Sequence, residues 1–149
     1  MIARETVLLV DDEERLLNGL RRQLRGEFVI VTAVGGERAL EILESQSEIA
    51  VIISDMRMPG VTGVEVLEAF SKKSPTTTRI MLTGNAEQDC AVDAINKSHV
   101  FGFLNKPCST DSLIQSIESG LAHHRLLVGE KKLMETTLAG SIKLLADVV

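Results

Sequence analysis

Five short runs rich in Val, Ile and Leu alternate with amphipathic segments along most of this chain of 149 residues. Three of the runs are almost continuously apolar, as parallel strands covered by helices on both faces usually are. Strict alternation of strands and helices predicts an α/β fold, in which a doubly wound parallel sheet is built with right-handed crossovers. The predicted strands cover 5–10, 28–33, 49–54, 78–83 and 100–104.

The segments between the predicted strands carry apolar residues at helical spacing, for example Leu17, Leu20 and Leu24. They predict helices over 14–24, 37–45, 63–73 and 86–96. Asn85 and Gln88 have the spacing of a capping box, and Ser109 is expected to cap a last helix that runs on to residue 149. Gly120, Gly129 and Gly140 are possible breaks in that helix.

The composition of the chain argues against several classes of protein. The chain is 44% hydrophobic and 25% charged, which is typical of a globular protein. It has no apolar run near the ~20 residues of a membrane span. The N-terminal residues lack a long apolar segment and a small-residue cleavage site, so we expect no signal peptide. Cys90 and Cys108 lack metal-ligand spacing, so we expect a cytoplasmic protein with reduced thiols. A net charge of −5 and few aromatic residues argue against direct nucleic-acid binding.

Polar side chains stand at the ends of four predicted strands. Asp11 and Asp12 follow the first strand and Asp55 follows the third, while Thr83 ends the fourth and Lys106 comes shortly after the fifth. One common order for five strands, the flavodoxin-like 2-1-3-4-5, places strands 1 and 3 side by side at the edge where such sheets bind ligands. Three converging carboxylates favour a hard cation such as Mg²⁺, and the hydroxyl and ammonium groups suit phosphoryl oxygens.

Each of these residues also has an ordinary structural interpretation. Asp12 could cap the first helix, Thr83 could begin a turn, and Lys106 could be a surface lysine. Pro107 could serve only as a turn residue, although a cis peptide bond there would aim Lys106. Their coincidence at one edge of the sheet favours a phosphoryl–Mg²⁺ site, while the absence of a Walker A or GxGxxG sequence speaks against a nucleotide site.

The sequence resembles the receiver domains of two-component response regulators over roughly residues 5 to 122. The similarity rests on VDDEE at 10–14, SDMRMPGVTG at 54–63, MLTGNAE at 81–87 and FLNKP at 103–107. It implies a signalling domain, not an enzyme beyond its own phosphorylation and dephosphorylation. Its expected partner is a sensor histidine kinase or a phosphotransfer protein.

The same resemblance implies a role for each site residue. Asp55 would be the phosphoacceptor, and Mg²⁺ would be held by Asp11, Asp12, Asp55 and the backbone carbonyl of Arg57. Thr83 and Lys106 would bind the phosphoryl oxygens. Phe103 would be the switch aromatic that rotates inward when Thr83 moves.

The chain is expected to divide into a receiver domain at 1–122 and a linker helix at 123–149 that leads toward an output domain absent from this sequence. The linker resembles those that precede HD-type output domains. Its apolar stripe at 138, 142, 145 and 149 favours pairing with a second subunit over folding back, and the face formed by the fourth and fifth helical segments is a second possible dimer surface. His123 and His124 are expected to be solvated.

Two other functions are alternatives. One is a phosphotransferase or phosphatase acting on a small molecule, which would need a substrate cavity and a general acid, but no spare His or Glu stands near the predicted strand ends. The other is a pseudo-receiver that never takes a phosphoryl group, and the presence of all five site residues disfavours it.

Overall fold

The computed structural model of the chain describes residues 5–45, 48–84 and 100–148, with side chains as far as residue 137. The predicted helix at 86–96, the Asn85–Gln88 capping box, Cys90 and the stripe at 138–149 lie outside these described parts. The elements are β1 (Thr6–Asp11), α1 (Glu14–Leu24), β2 (Val29–Val34), α2 (Gly36–Glu44), β3 (Val51–Asp55), α3 (Gly63–Lys73), β4 (Thr78–Thr83), β5 (Gly102–Asn105) and the C-terminal helix (Thr110–Val148).

The five strands form one parallel sheet in the order β2-β1-β3-β4-β5, which confirms the predicted topology. The predicted strands differ from the observed ones by no more than two residues at either end. The differences matter at two positions, because Asp11 and Asp55 are the last residues of β1 and β3 instead of following them. Their backbones are therefore fixed by the sheet.

Alternate residues of the central strands enter two separate cores. On one face Leu8 and Ile52 pack with Leu67 and Phe70 of α3. On the other face Val7, Val51 and Ile80 pack with α1 and with the C-terminal helix. Burial on both faces explains why these strands read as continuous apolar runs instead of alternating with polar residues.

The C-terminal helix begins where the sequence predicts. The Ser112 amide donates to the Ser109 hydroxyl at 3.1 Å, and Leu113, Ile117 and Leu121 enter the core. Gly120 lies against β3 and β4, and its carbonyl accepts from the Thr78 hydroxyl at 2.8 Å. The possible breaks at the glycines do not occur, because the helix is continuous for 39 residues.

Three successive residues, His123, His124 and Arg125, attach this helix to residues that precede β5, β4 and β1. The Phe101 and His123 ring centroids are 4.6 Å apart, and His124 Nδ1 lies 2.6 Å from the Thr76 carbonyl oxygen. The Arg125 guanidinium donates twice to the Glu5 carboxylate. The expectation of solvated histidines was therefore wrong, because both rings are half-buried and in contact with the domain.

Beyond these contacts the helix leaves the domain, and every described side chain from 128 to 137 is exposed. Among the described residues, no helix has the length and apolar character needed to cross a membrane. Cys108 is a free, half-buried thiol whose pKa is raised by burial.

Candidate functional site

The strand order brings the predicted site residues to one edge of the sheet. In the parallel register Val10 pairs with Ser54, so that the next residues, Asp11 and Asp55, end neighbouring strands. On the other side of β3, the Met56 amide donates to the Leu82 carbonyl at 3.1 Å, which places Thr83 at the same edge. Lys106, directly after β5, donates its amide to the Thr83 carbonyl, so four strands bring polar residues to one edge of the sheet, as the sequence predicts.

The three carboxylates meet. One oxygen each of Asp11, Asp12 and Asp55 lies within 4.8 Å of the others. Asp11 and Asp55 are only 1% and 6% exposed, whereas Asp12 is exposed at the mouth of the site. Such a set of hard oxygen donors, with one side open for water, fits Mg²⁺, which favours one or two carboxylates and retains several waters.

Lys106 lies between two of these carboxylates. Its Nζ is 3.2 Å from Asp11 Oδ2 and 3.2 Å from Asp55 Oδ1. Burial alone would lower the pKa of Lys106, but the two carboxylates outweigh it and raise that pKa above its ordinary value. Lys106 therefore stays charged and neutralises part of the acidic cluster.

Asp55 experiences opposing influences. Burial raises the pKa of its carboxyl above the ordinary value, Lys106 opposes this shift, and Asp11 and Asp12 add to it. The net shift is upward, so the ionised Asp55 is held in an unfavourable environment. Binding of a cation beside it would relieve that penalty.

The loops around the site are fixed by local hydrogen bonds. The Glu13 amide donates to Asp11 Oδ1 at 2.9 Å, so Asp11 itself closes the turn into α1. The N-cap position of α1 is Glu13 and not Asp12, and the Glu13 side chain makes no capping hydrogen bond. The alternative interpretation of Asp12 as a helix cap is therefore not supported.

The loop after Asp55 depends on two glycines. Gly60 has φ of +79°, which favours glycine. Gly63 donates its amide to the Met56 carbonyl at 3.0 Å, and a Cβ on Gly63 would overlap the Asp55 carbonyl oxygen. Thr62 caps α3 by accepting from the Glu65 amide. The first turn of α3 therefore packs against the backbone of Asp55. The side chain of Arg57, two residues after Asp55, is exposed.

Thr83 makes a contact that the sequence reasoning missed. Its hydroxyl, on a residue only 2% exposed, donates to the Asn105 side-chain oxygen at 3.3 Å, and its carbonyl accepts from the Lys106 amide at 2.7 Å. Asn105 is the register partner of Thr83 across β4 and β5. The sequence does contain a feature that predicts this pair, since Asn105 immediately precedes Lys106 and stands opposite Thr83 once the two strands are aligned.

Phe103 lies on β5 and is 36% exposed. It lines a groove of about 400 Å³ together with Ile80, Phe101 and residues of the C-terminal helix. The described conformation is thus the outward one.

Comparison with known proteins identifies the family. The model of the response regulator receiver domain matches residues 7–118, which is most of the chain. The chain belongs to the receiver domain family of two-component response regulators. Members of this family are signalling domains that receive their input from histidine kinases or phosphotransfer proteins.

The chain is similar to part of several longer curated proteins. The chain is 34% identical over 116 residues to the hydrogenase transcriptional regulatory protein HoxA of Cupriavidus necator, which covers 78% of the chain but 24% of HoxA. The chain thus spans about a quarter of the length of the curated relatives it matches.

Two solved structures are close over almost their whole length. A crystal structure described as adenylate cyclase from Rhodopirellula baltica has a TM-score of 0.84 and 38% identity, covering 89% of this chain and 98% of that one. The receiver domain of an HD domain-containing protein from Pseudomonas fluorescens has a TM-score of 0.80 and 28% identity, covering 87% and 95%.

Proposed function

We propose that this receiver takes a phosphoryl group onto Asp55 and relays a conformational change to an output domain or a partner. The observation that carries the proposal is the pair of 3.2 Å contacts that hold Lys106 between Asp11 and Asp55 in the acidic cluster. Phosphoryl transfer depends on positioning and charge neutralisation more than on covalent help from the protein. The site provides both.

In the proposed reaction one carboxylate oxygen of Asp55 forms a bond to phosphorus while the phosphorus–nitrogen bond of a phosphohistidine breaks. The leaving imidazole nitrogen keeps the electron pair of that bond. Lys106 and the Thr83 hydroxyl bind the equatorial phosphoryl oxygens, one by charge and one by a hydrogen bond. The product is an acyl phosphate on Asp55.

Mg²⁺ would be held by Asp11, Asp12, Asp55 and the backbone carbonyl of Arg57, and it would supply positive charge against the negative phosphoryl oxygens. The chain's own contribution is the fixed geometry. Two carboxylates are set by strand ends, and Asp11 is oriented further by the Glu13 amide. The donor would be a sensor histidine kinase or a phosphotransfer protein.

The relay would begin at Thr83 and Phe103, which lie on the paired strands β4 and β5. Movement of Thr83 toward a phosphoryl group would open space behind it, and Phe103 would rotate inward from its exposed position. Residues 1–122 would form the receiver unit, and the helix beyond 122 would connect it to an output domain or to a second subunit. The receiver of the HD domain-containing protein makes an HD-type output one candidate.

The test is to incubate the chain with phosphoramidate and Mg²⁺ and to record its intact mass. We expect one phosphoryl adduct on the wild type, none on Asp55→Asn, and none in the presence of EDTA. Asp111→Asn is the matched control, because Asp111 is an exposed carboxylate in the first turn of the C-terminal helix. It should be labelled like the wild type.

A folded wild type that gains no adduct from phosphoramidate or from acetyl phosphate would contradict phosphoryl transfer from small donors, and a pseudo-receiver would then be the better description. Labelling that persists in Asp55→Asn would place the acceptor elsewhere.

A further inference from the structure

Asn105 and Thr83 face each other across β4 and β5, and the Thr83 hydroxyl donates to the Asn105 side-chain oxygen at 3.3 Å. We propose that Asn105 is a positioning residue that holds this hydroxyl in its resting orientation and thereby opposes loading of Asp55. The inference rests on the proposed function, since it supposes that Asp55 accepts the phosphoryl group and that Thr83 binds it.

The physical basis is competition for one proton. A threonine hydroxyl has a single hydrogen to donate. In the described structure that hydrogen bond goes to Asn105. A phosphoryl oxygen on Asp55 would be an acceptor for the same hydrogen, so Thr83 can bind it only after the bond to Asn105 is broken.

Burial affects the two partners of this hydrogen bond differently. Thr83 is only 2% exposed, and a buried hydroxyl needs a partner. The Asn105 side chain is exposed, so water can replace Thr83 as its partner after the switch. Loss of the Asn105 oxygen therefore penalises the resting state, in which the hydroxyl loses the acceptor that the described residues provide, and leaves the loaded state almost unchanged.

The backbone keeps the two residues in register while the side chains exchange partners. The Thr83 carbonyl accepts from the Lys106 amide at 2.7 Å, and Lys106 is the residue that contacts Asp55. Movement of the Thr83 side chain can thus occur without separation of β4 and β5. Asn105 sets how readily the hydroxyl is released.

The probe is beryllium trifluoride, an anion that binds a carboxylate as a phosphoryl group does, titrated in the presence of Mg²⁺ and followed by ¹⁹F NMR on the full chain. We expect Asn105→Ala to bind the anion with a dissociation constant roughly three- to tenfold lower than that of the wild type, as one released hydrogen bond implies. Asn18→Ala is the matched control, because Asn18 is an exposed asparagine on α1. It should bind like the wild type.

A double-mutant cycle with Thr83→Ala separates this role from a general effect of the substitution. Without the Thr83 hydroxyl, Asn105→Ala should change the affinity by less than about a factor of two. Tighter binding that persists in the Thr83→Ala background would overturn the proposal, since Asn105 would then act through another group.

Asn105→Val is a second variant that removes the acceptor and retains a residue suited to a strand. The melting temperature of each variant reports whether it is folded. If the wild type binds beryllium trifluoride and neither Asn105 variant binds it more tightly, the role of Asn105 is refuted while the proposed function stands. If the wild type binds none, the proposed function of Asp55 fails and the role of Asn105 fails with it.

Discussion

Lys106 Nζ lies 3.2 Å from Asp55 Oδ1 and at the same distance from Asp11 Oδ2, so one ammonium group links the ends of β3 and β1. Without this ammonium group, the three carboxylates of the cluster would repel one another with no positive charge between them. The contact is partly buried, with the Lys106 side chain 31% exposed, and solvent therefore screens it only in part. Lys106 and a bound cation should act on the same carboxylates.

We expect Lys106→Met to destabilise the metal-free protein and to strengthen its binding of Mg²⁺. Because the pKa of Lys106 is raised on folding, its charge contributes stability at every pH below its ordinary pKa of 10.5. Its loss should lower the free energy of unfolding by about 1–3 kcal/mol in EDTA, as measured by urea denaturation. Calorimetry should show tighter Mg²⁺ binding, because the ammonium no longer repels the ion.

Lys72→Met is the control for this variant. Lys72 pairs with Glu68 on the exposed face of α3 and should contribute less than about 1 kcal/mol. Weaker Mg²⁺ binding by Lys106→Met would show that the lysine organises the carboxylates more than it competes for them.

We expect Asp55→Asn to stabilise the metal-free protein near neutral pH. Since the pKa of Asp55 is raised on folding, the ionised carboxyl is a penalty at pH 7 that disappears as the pH falls through the folded pKa toward 3.8. The variant has no such penalty, so its melting temperature in EDTA should be a few degrees higher at pH 7, by about 2–5 °C.

The pH dependence of that difference is the decisive measurement. The advantage of Asp55→Asn should be constant at pH values above the folded pKa of Asp55 and should shrink as the pH falls through that pKa toward 3.8. Asp111→Asn, at an exposed position of the C-terminal helix, is the control for the substitution itself. A variant that is less stable than the wild type at pH 7 would mean that the ion pair with Lys106 outweighs the burial of the carboxylate.

The close approach of Gly63 to Asp55 predicts opposite effects of the same substitution at two helical glycines. A Cβ on Gly63 would overlap the Asp55 carbonyl oxygen, so Gly63→Ala must displace α3 or β3 and should cost about 3 kcal/mol or more. Gly19 in α1 has open space around its Cβ position, and Gly19→Ala should stabilise the protein by up to about 1 kcal/mol. Chemical denaturation of the two variants measures both effects.

The matched pair also reports on the site. If Gly63→Ala folds, displacement of the loop should weaken Mg²⁺ binding, whereas Gly19→Ala should leave it unchanged. Equal stability of the two variants would contradict the described packing of α3 against Asp55.

The sheet and the convergence of the carboxylates could be predicted because both follow from a pattern that is local in sequence. A continuous apolar run gives a covered strand, and the residue that ends it is carried to a known edge of the sheet. The ends of α1 and α3 could be predicted as well, since helical spacing and the turn residues that follow mark both helices.

The contacts that escaped prediction join residues far apart in the chain. The hydrogen bond from Thr83 to Asn105 depends on the register of β4 and β5, and the contact of Gly63 with Asp55 depends on how the loop folds back. The histidines were misread for the same reason, because Phe101 and Thr76 approach them only when the C-terminal helix docks. Periodicity carries no information about such pairs.

The exposed part of the C-terminal helix leads to a last prediction, that two copies of the chain associate through it. Leu126, Leu133 and Met134 are 67%, 68% and 65% exposed, and the first two are seven residues apart, which places them on one face of the helix. A helix that leaves its domain with apolar side chains uncovered is stabilised by a partner more than by its own propensity. A second copy provides the same apolar face in a parallel pair.

We expect the wild type to sediment as a dimer at micromolar concentrations and the double variant Leu126→Glu with Leu133→Glu to sediment as a monomer. The melting temperature of the receiver unit should change little, because neither leucine enters its core. Lys131→Gln with Lys132→Gln is the control, since it changes the net charge by the same amount at exposed positions of the same segment. If this control dissociates as readily as the leucine variant, charge and not the apolar face governs association. A wild type that stays monomeric at its solubility limit would contradict dimerisation, and contact with an output domain would then be the better explanation of the exposed leucines.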